Sequence, residues 1–375
     1  MGRTGIVALN LVSPLLTALA VAGLSACAQQ GTSSQIAVAR DTLAPRFARL
    51  EARFDSIRKD KRIPGMSVAV VLDGRVVYAK GFGFMDGEGQ RPATPETAYW
   101  IASLTKPFTA AVLLRLWELR LLNLDRRMAD LPGYTEWCAE FAPSQSIFAK
   151  DLDCSAPLTI RQTLSHLVQG VPGKSFAYNA AVYSQLRRVA PLVSQRTWGQ
   201  LMTEYVLAPA GMNNTAAGWY DGPKSHVLSN LAQPRRVLPT GGTTISITPI
   251  WDVGSGAGLI STVLDLAKFD AALNRGAIVS SATRATMFTP TTTSAGTSVP
   301  YGLGWYVQDY GGRRLVWHSG WEPNSYSALY LKVPDRRLTL IVLANSEGVW
   351  WGNALDKAEV EKSPFAAAFL ELVVR

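Results

Sequence analysis

Ser103 and Lys106 stand three residues apart in Ser103-Leu104-Thr105-Lys106. On a helix this spacing puts both side chains on one face. A lysine amine placed there can take the serine hydroxyl proton and turn a weak alcohol into a nucleophile. A helix start at the same point adds unpaired backbone N–H groups and a partial positive charge. Phe108, Ala111, Val112, Leu116 and Leu119 follow at helical spacing, so a short loop is expected to run into a long amphipathic helix. Pro107 suits a first helical turn, but it pushes Lys106 away from helical dihedrals, so that turn is expected to be imperfect. The same four-residue pattern at Ser56-Ile57-Arg58-Lys59 lies in a charged stretch and reads as a solvated helix face.

Elements on both sides must hold this pair. An apolar run over 66–72, the turn signal Asp73-Gly74 and a second run over 75–80 predict a hairpin. Segments 314–318, 327–333 and 338–344 read as three more strands, with Pro334-Asp335 in the last turn. Segments 159–167, 180–192 and 198–207 carry apolar residues at helical spacing. A further helix is expected over 262–273, capped by Ser261, and a last one over 364–374. Segment 291–298 is rich in Thr and Ser and reads as a loop. Strands at both ends with helices between them predict an α/β (α+β) fold. Its antiparallel sheet, flanked by helices, is built from both chain ends (about 41–125 and 240–375). A mainly helical part (about 126–239) is inserted between them.

The first 26 residues carry one charge, Arg3, and apolar runs over 11–16 and 18–24, which read as a signal peptide. Leu24-Ser25-Ala26-Cys27 resembles a bacterial lipobox. That resemblance implies cleavage before Cys27, lipid on Cys27 and a tether over 27–40. Ala28 after the cysteine implies an outer-membrane lipoprotein facing the periplasm. The alternative is ordinary cleavage after Ala28, giving a soluble periplasmic or secreted protein. The net charge is +9. Basic charge on an exported protein suits anionic envelope polymers or lipid headgroups, or serves general solubility. Nucleic acid is not an expected partner, because the charges are scattered and the compartment is wrong. Cys138 and Cys154 are left to pair in an oxidising compartment, closing 15 residues between them. Three histidines without a clustered Cys/His pattern argue against a structural zinc, and no metal or organic cofactor is implied.

Several ordered stretches resemble one family, the class C β-lactamases and penicillin-recognising serine hydrolases. It includes D-alanyl-D-alanine peptidases, D-aminopeptidases and carboxylesterases. The stretches are Gly81-Phe82-Gly83-Phe84, Ile101 to Phe108, Leu158-Thr159-Ile160-Arg161 with Leu164-Ser165-His166, and Pro209-Ala210-Gly211-Met212. They continue through Gly258-Leu259-Ile260-Ser261-Thr262, Tyr301-Gly302-Leu303-Gly304-Trp305 and His318-Ser319-Gly320. The resemblance implies a serine β-lactamase/transpeptidase-like fold over 41–375 and an acyl-enzyme on Ser103.

By the same resemblance Phe176-Ala177-Tyr178-Asn179-Ala180 fills the place of the family's Tyr-x-Asn motif. Tyr178 would then shuttle a proton between Ser103 and the leaving group, its pKa lowered by Lys106. Ala180 stands where an Asn usually helps orient the lysine and the substrate amide. Asn179 is adjacent and a candidate for substrate binding, although its side chain should point elsewhere on a helix or turn. Tyr183-Ser184-Gln185 is a rival register that breaks the spacing. His318-Ser319-Gly320 replaces Lys-Thr-Gly. A mostly neutral His favours neutral esters or amides over substrates bearing a carboxylate. Gly320 would let backbone approach the substrate. The N–H groups of Trp321 and Ser103 would form the oxyanion hole, with the Trp321 indole narrowing the cleft or stacking on an apolar group. His166 reads as a structural helix residue and His226 as a loop residue. Between Pro132 and Pro157 the chain is longer than most relatives, and this segment reads as a lid, a partner surface or a neutral insertion.

The expected activity is that of an exported serine esterase or D-amino-acid amidase/peptidase, acting on a small ester, amide or peptide. A peptidoglycan D,D-peptidase or weak β-lactamase is the alternative, with peptidoglycan as a further partner beside the membrane. A non-catalytic envelope binding protein on the same fold is the alternative of another class. No Gly-x-Ser-x-Gly elbow occurs, which counts against an α/β-hydrolase.

Overall fold

A computed structural model describes Gly2 and residues 43–86, 89–220 and 224–375. The leader expected over 1–26 (Gly2 apart), Cys27 and the tether expected over 27–40 lie outside the described residues. The chain divides into two compact units, 1–48 and 49–375. Within the first, residues 43–48 are helical. The second carries everything that follows.

The strands are β1 (Gly65–Leu72), β2 (Arg75–Gly83), β3 (Tyr99–Trp100), β4 (Arg235–Val237) and β5 (Thr243–Ile245), then β6 (Ile260–Ser261), β7 (Tyr306–Tyr310), β8 (Arg313–Glu322), β9 (Tyr326–Val333) and β10 (Leu338–Ala344). Six of them form one antiparallel sheet in the order β2-β1-β10-β9-β8-β7. Strands from the two halves of the unit therefore meet at the β1–β10 pair. All residues of β9 and β10 are buried, as are all of β1 but Leu72. An antiparallel sheet covered on both faces gives near-continuous apolar runs, which is why these strands are legible in the sequence.

Asp73 and Gly74 both have positive φ (55° and 75°), the two-residue turn whose twist suits a hairpin. Strand β8 starts earlier and runs longer than the 314–318 expected. Strand β7 was not expected at all, since five residues with a polar end carry little pattern.

The helix after the nucleophile is Lys106–Glu118. It is not amphipathic, because every residue from Lys106 to Leu114 is buried. Phe108 stacks on Phe269 of the Val263–Asn274 helix with centroids 4.0 Å apart, and Phe269 in turn meets Tyr330 of β9 edge-on. The Val263–Asn274 helix is capped by Thr262, whose side chain accepts from Asp265 N, rather than by Ser261, which sits in β6 opposite Tyr99.

The inserted region is more broken than its periodicity implies. The expected helix over 180–192 is Ala180–Tyr183, a 3₁₀ stretch Ser184–Val189 and Ala190–Val193. The helix over 159–167 is reduced to Ile160–Leu164. The helices at 198–207 and 364–374 each end in a π-helical turn.

Candidate active site

Ser103 lies in a 3₁₀ turn, Ala102–Thr105, that leads directly into the Lys106–Glu118 helix. Lys106 keeps helical dihedrals (φ −60°, ψ −42°) despite Pro107, so the irregularity falls in the turn before it. Ala102 has φ +47°. A left-handed alanine is strained by about 1–3 kcal/mol, and here it swings the chain out of β3 so that Ser103 reaches the cavity.

The opposite wall is the end of β8. Pairing with β7 stops at Trp317, so beyond it β8 is paired only with β9 and its other edge faces the Ser103 turn. The approach is close, because a Cβ on Gly320 would lie 2.1 Å from the Ile101 carbonyl oxygen. Gly320 is thus required by the backbone that carries the nucleophile.

Lys106 Nζ lies 3.0 Å from Ser103 Oγ and donates to the Gly256 carbonyl at 2.9 Å. The side chain is 1% exposed. Burial, with no opposing charge to offset it, lowers its pKa from 10.5 to about 7. A neutral amine fits these contacts: one N–H goes to Gly256 and the lone pair is left for the Ser103 hydroxyl. Ser255 fixes the loop that presents Gly256. Its Oγ donates to Tyr183 O at 2.8 Å, and its carbonyl accepts from Thr109 Oγ1 at 2.7 Å.

The Tyr178 phenol is hydrogen-bonded to Ser103, and its ring centroid lies 5.0 Å from Lys106 Nζ. Its pKa moves in the direction opposite to the expectation: burial raises it, and the Ser103 hydrogen bond only partly offsets that. Tyr183, the rival tyrosine, donates to the Lys106 carbonyl at 3.0 Å.

His318 is buried, with Nδ1 2.7 Å from Ser319 O and Nε2 3.0 Å from the Tyr301 hydroxyl. Because a carbonyl only accepts, Nδ1 carries the proton and Nε2 accepts from Tyr301. Burial first, and then the nearby Lys106 charge, lower its pKa to about 3. His318 is therefore a neutral wall residue across the neutral pH range.

Asn179 does not face the cavity. It is fully buried, its Oδ1 accepting from Val182 N at 2.9 Å as a helix cap and its Nδ2 donating to the Phe148 carbonyl at 2.8 Å. Ala180, one residue on, does line the cavity. His166 is not helical (φ 56°). It accepts from Asn179 N at Nδ1 (3.1 Å) and from Ala177 N at its carbonyl (3.1 Å). Its ring packs on Tyr178 at 4.3 Å, so His166 brackets the tyrosine from both sides. His226, expected in a loop, lies in the short Ser225–Ser229 helix.

The cavity has a volume of about 210 Å³. Its lining includes the polar groups of Ser103, Tyr178, His318 and Ser319 and the apolar side chains of Phe148, Trp321, Trp350 and Leu355. The Trp321 ring, 38% exposed, stacks on Trp350 at 4.2 Å and donates from Nε1 to Glu347 at 2.9 Å. Cys138 and Cys154 are joined in a disulfide. Among the described residues no group of three or more His, Cys, Asp or Glu is placed to hold a metal ion. Gly256 and Phe148 had no signal of their own in the sequence. The first contributes a carbonyl, and the second reaches the cavity only through the fold of its loop.

Residues 50–360 match the family model described as Beta-lactamase. The chain is 25% identical to penicillin-binding protein 4* of Bacillus subtilis, over 80% of this chain and 71% of that one. It is 26% identical to the D-aminopeptidase of Brucella canis, over 82% of this chain and 61% of the relative, so it spans about three-fifths of that protein's length. Its fold matches that of the octameric penicillin-binding protein homologue from Pyrococcus abyssi with a TM-score of 0.69, at 24% identity over 87% of this chain and 77% of that one.

Proposed function

The chain belongs to the β-lactamase family, and on that premise we propose that it is a serine hydrolase acting through an acyl-enzyme on Ser103, with neutral esters and amides as substrates. One observation carries this reading: Lys106 is buried without a counter-charge, 3.0 Å from Ser103 Oγ, with a pKa of about 7. About half of such an amine is neutral at pH 7 and free to accept a proton.

In the proposed reaction Ser103 Oγ attacks the carbonyl carbon as its proton passes to Lys106 Nζ. The Ser103 and Trp321 N–H groups, on facing edges of the cavity, take the oxyanion. Tyr178, held protonated by burial, donates to the leaving oxygen or nitrogen, and Lys106 returns the proton to the phenol. Water then attacks the acyl-enzyme with Lys106 again as base, releasing the acid and restoring the Ser103 hydroxyl.

The substrate class follows from charge. None of the residues lining the cavity is charged once His318 is neutral. A substrate carboxylate, as on a β-lactam or a D-Ala-D-Ala terminus, would find no cation among the lining side chains. An ammonium would find no carboxylate, which places esters ahead of D-amino-acid amides. Hydrolysis of 4-nitrophenyl acetate, a D-alanine 4-nitroanilide and a penicillin, each with wild type and Ser103→Ala, tests this order. Turnover of the ester alone, abolished in Ser103→Ala, is expected. Faster turnover of the penicillin would overturn the charge argument.

The reading includes export, with lipid on Cys27 and the active site in the periplasm. The Cys138–Cys154 disulfide supports an oxidising compartment.

A further inference from the structure

The segment between the two cysteines does more than cross the surface. Its backbone is tied down at four carbonyls. Phe148 O accepts from Asn179 Nδ2 at 2.8 Å, Ile147 O and Lys150 O both accept from Gln169 Nε2 at 3.4 and 2.8 Å, and Asp151 O accepts from Gly170 N at 2.7 Å. The disulfide closes its base, with Cys138 fully buried in the core. The first tie matters most, because Asn179 directly follows Tyr178. A loop held in this way brings Phe148 into the wall of the cavity that Trp321, Trp350 and Leu355 also line. The Trp321 ring is itself fixed by its stacking on Trp350 and by Glu347.

We infer that Phe148, carried on this disulfide-closed loop, forms with Trp321, Trp350 and Leu355 a specificity subsite for an uncharged, ring-sized group attached to the reacting ester or amide. The inference rests on the reading of Ser103 as nucleophile. An apolar cavity of about 150 Å³ holds a benzene molecule, so the 210 Å³ here accommodates one aromatic ring and the carbonyl that joins it to Ser103. Aromatic side chains around a ring add edge and stacking contacts beyond the area they bury. An acetyl group leaves this subsite unfilled. A charged group would be desolvated there without a partner.

The test separates binding from turnover. Binding of methyl phenylacetate and methyl acetate to Ser103→Ala is read by the change in tryptophan fluorescence. The same measurement is made with Phe148→Ala and with Phe148→Leu added to that variant. A second pair, benzyl acetate against methyl acetate, places the ring in the leaving group. The inference expects Phe148→Ala to weaken the ring-bearing member of at least one pair about tenfold, and its small partner less than twofold. Phe148→Leu is expected to restore most of the loss, which a merely unfolded loop would not do. Equal weakening within each pair, or none, overturns the subsite. The nucleophile is judged separately, by turnover of the phenylacetate in protein that retains Ser103.

Discussion

The sharpest consequence of the site concerns pH. Lys106 must be neutral to accept the Ser103 proton, and its pKa is about 7. For an ester that does not itself ionise, kcat/KM should therefore fall about tenfold per pH unit below this value and level off above it, or roughly 100-fold between pH 8 and pH 5. No histidine lining the cavity supplies a competing limb, because His318 is held near 3. Tyr178 is pushed above its ordinary value by burial and stays protonated throughout. The assay is steady-state hydrolysis of 4-nitrophenyl acetate from pH 5 to 9, with His318→Asn beside wild type. An inflection near 7 in both proteins is expected. A flat profile, or an inflection that vanishes in His318→Asn, would refute the assignment of Lys106 as base.

The same shift has a sign for stability. Lys106 is depressed from 10.5 to about 7, so between these values the unfolded chain binds more protons than the folded one. The Lys106 contribution thus makes stability rise with pH across that window, and the cost of burying the amine is fully present at and below pH 7. Lys106→Met should be inactive yet gain Tm relative to wild type, more at pH 6 than at pH 10.

Three further outcomes follow from particular contacts, and a fourth from the proposed lipid on Cys27. Gly320→Ala should force the Ile101 carbonyl away from β8, costing about 1–3 kcal/mol in thermal unfolding and roughly 100-fold in ester hydrolysis as Ser103 shifts. Replacing Cys138 and Cys154 together with Ser should lower stability by about 3 kcal/mol in denaturant titration and reduce the preference for ring-bearing esters. Ala180→Asn would return an amide to the cavity wall, and the ratio of amide to ester turnover should rise about tenfold. Cys27→Ser should move the protein from the membrane to the soluble fraction of a bacterial host, as read by fractionation with detergent partitioning.

What the sequence revealed depended on how local the physics was. The Ser103–Lys106 pair is a one-turn contact, so three residues of spacing sufficed. The β1–β2 hairpin was legible from the buried apolar run of β1 and the Asp73-Gly74 turn, although β2 itself is mostly half-buried. The Lys106–Glu118 helix was misjudged as amphipathic because alanines and leucines on all its sides look like a stripe with gaps. Tyr178 came from family spacing, but its pKa direction came out reversed, since burial of the phenol is the dominant effect and the depth of burial has no local signature. Asn179 was placed among the substrate-binding groups, yet its side chain serves the turn it sits in, the common fate of an Asn at a helix start. Phe148 was out of reach, because its place depends on a disulfide and on hydrogen bonds 19 to 31 residues away in sequence.

The central claim, an activated Ser103, is tested most directly by intact-mass analysis after treatment with a fluorophosphonate at pH 8, with Ser103→Ala alongside. The account predicts one adduct on the wild type, mapped to the peptide containing Ser103, and none on the variant. A folded wild type that takes no adduct, or an adduct that persists in Ser103→Ala, would contradict it.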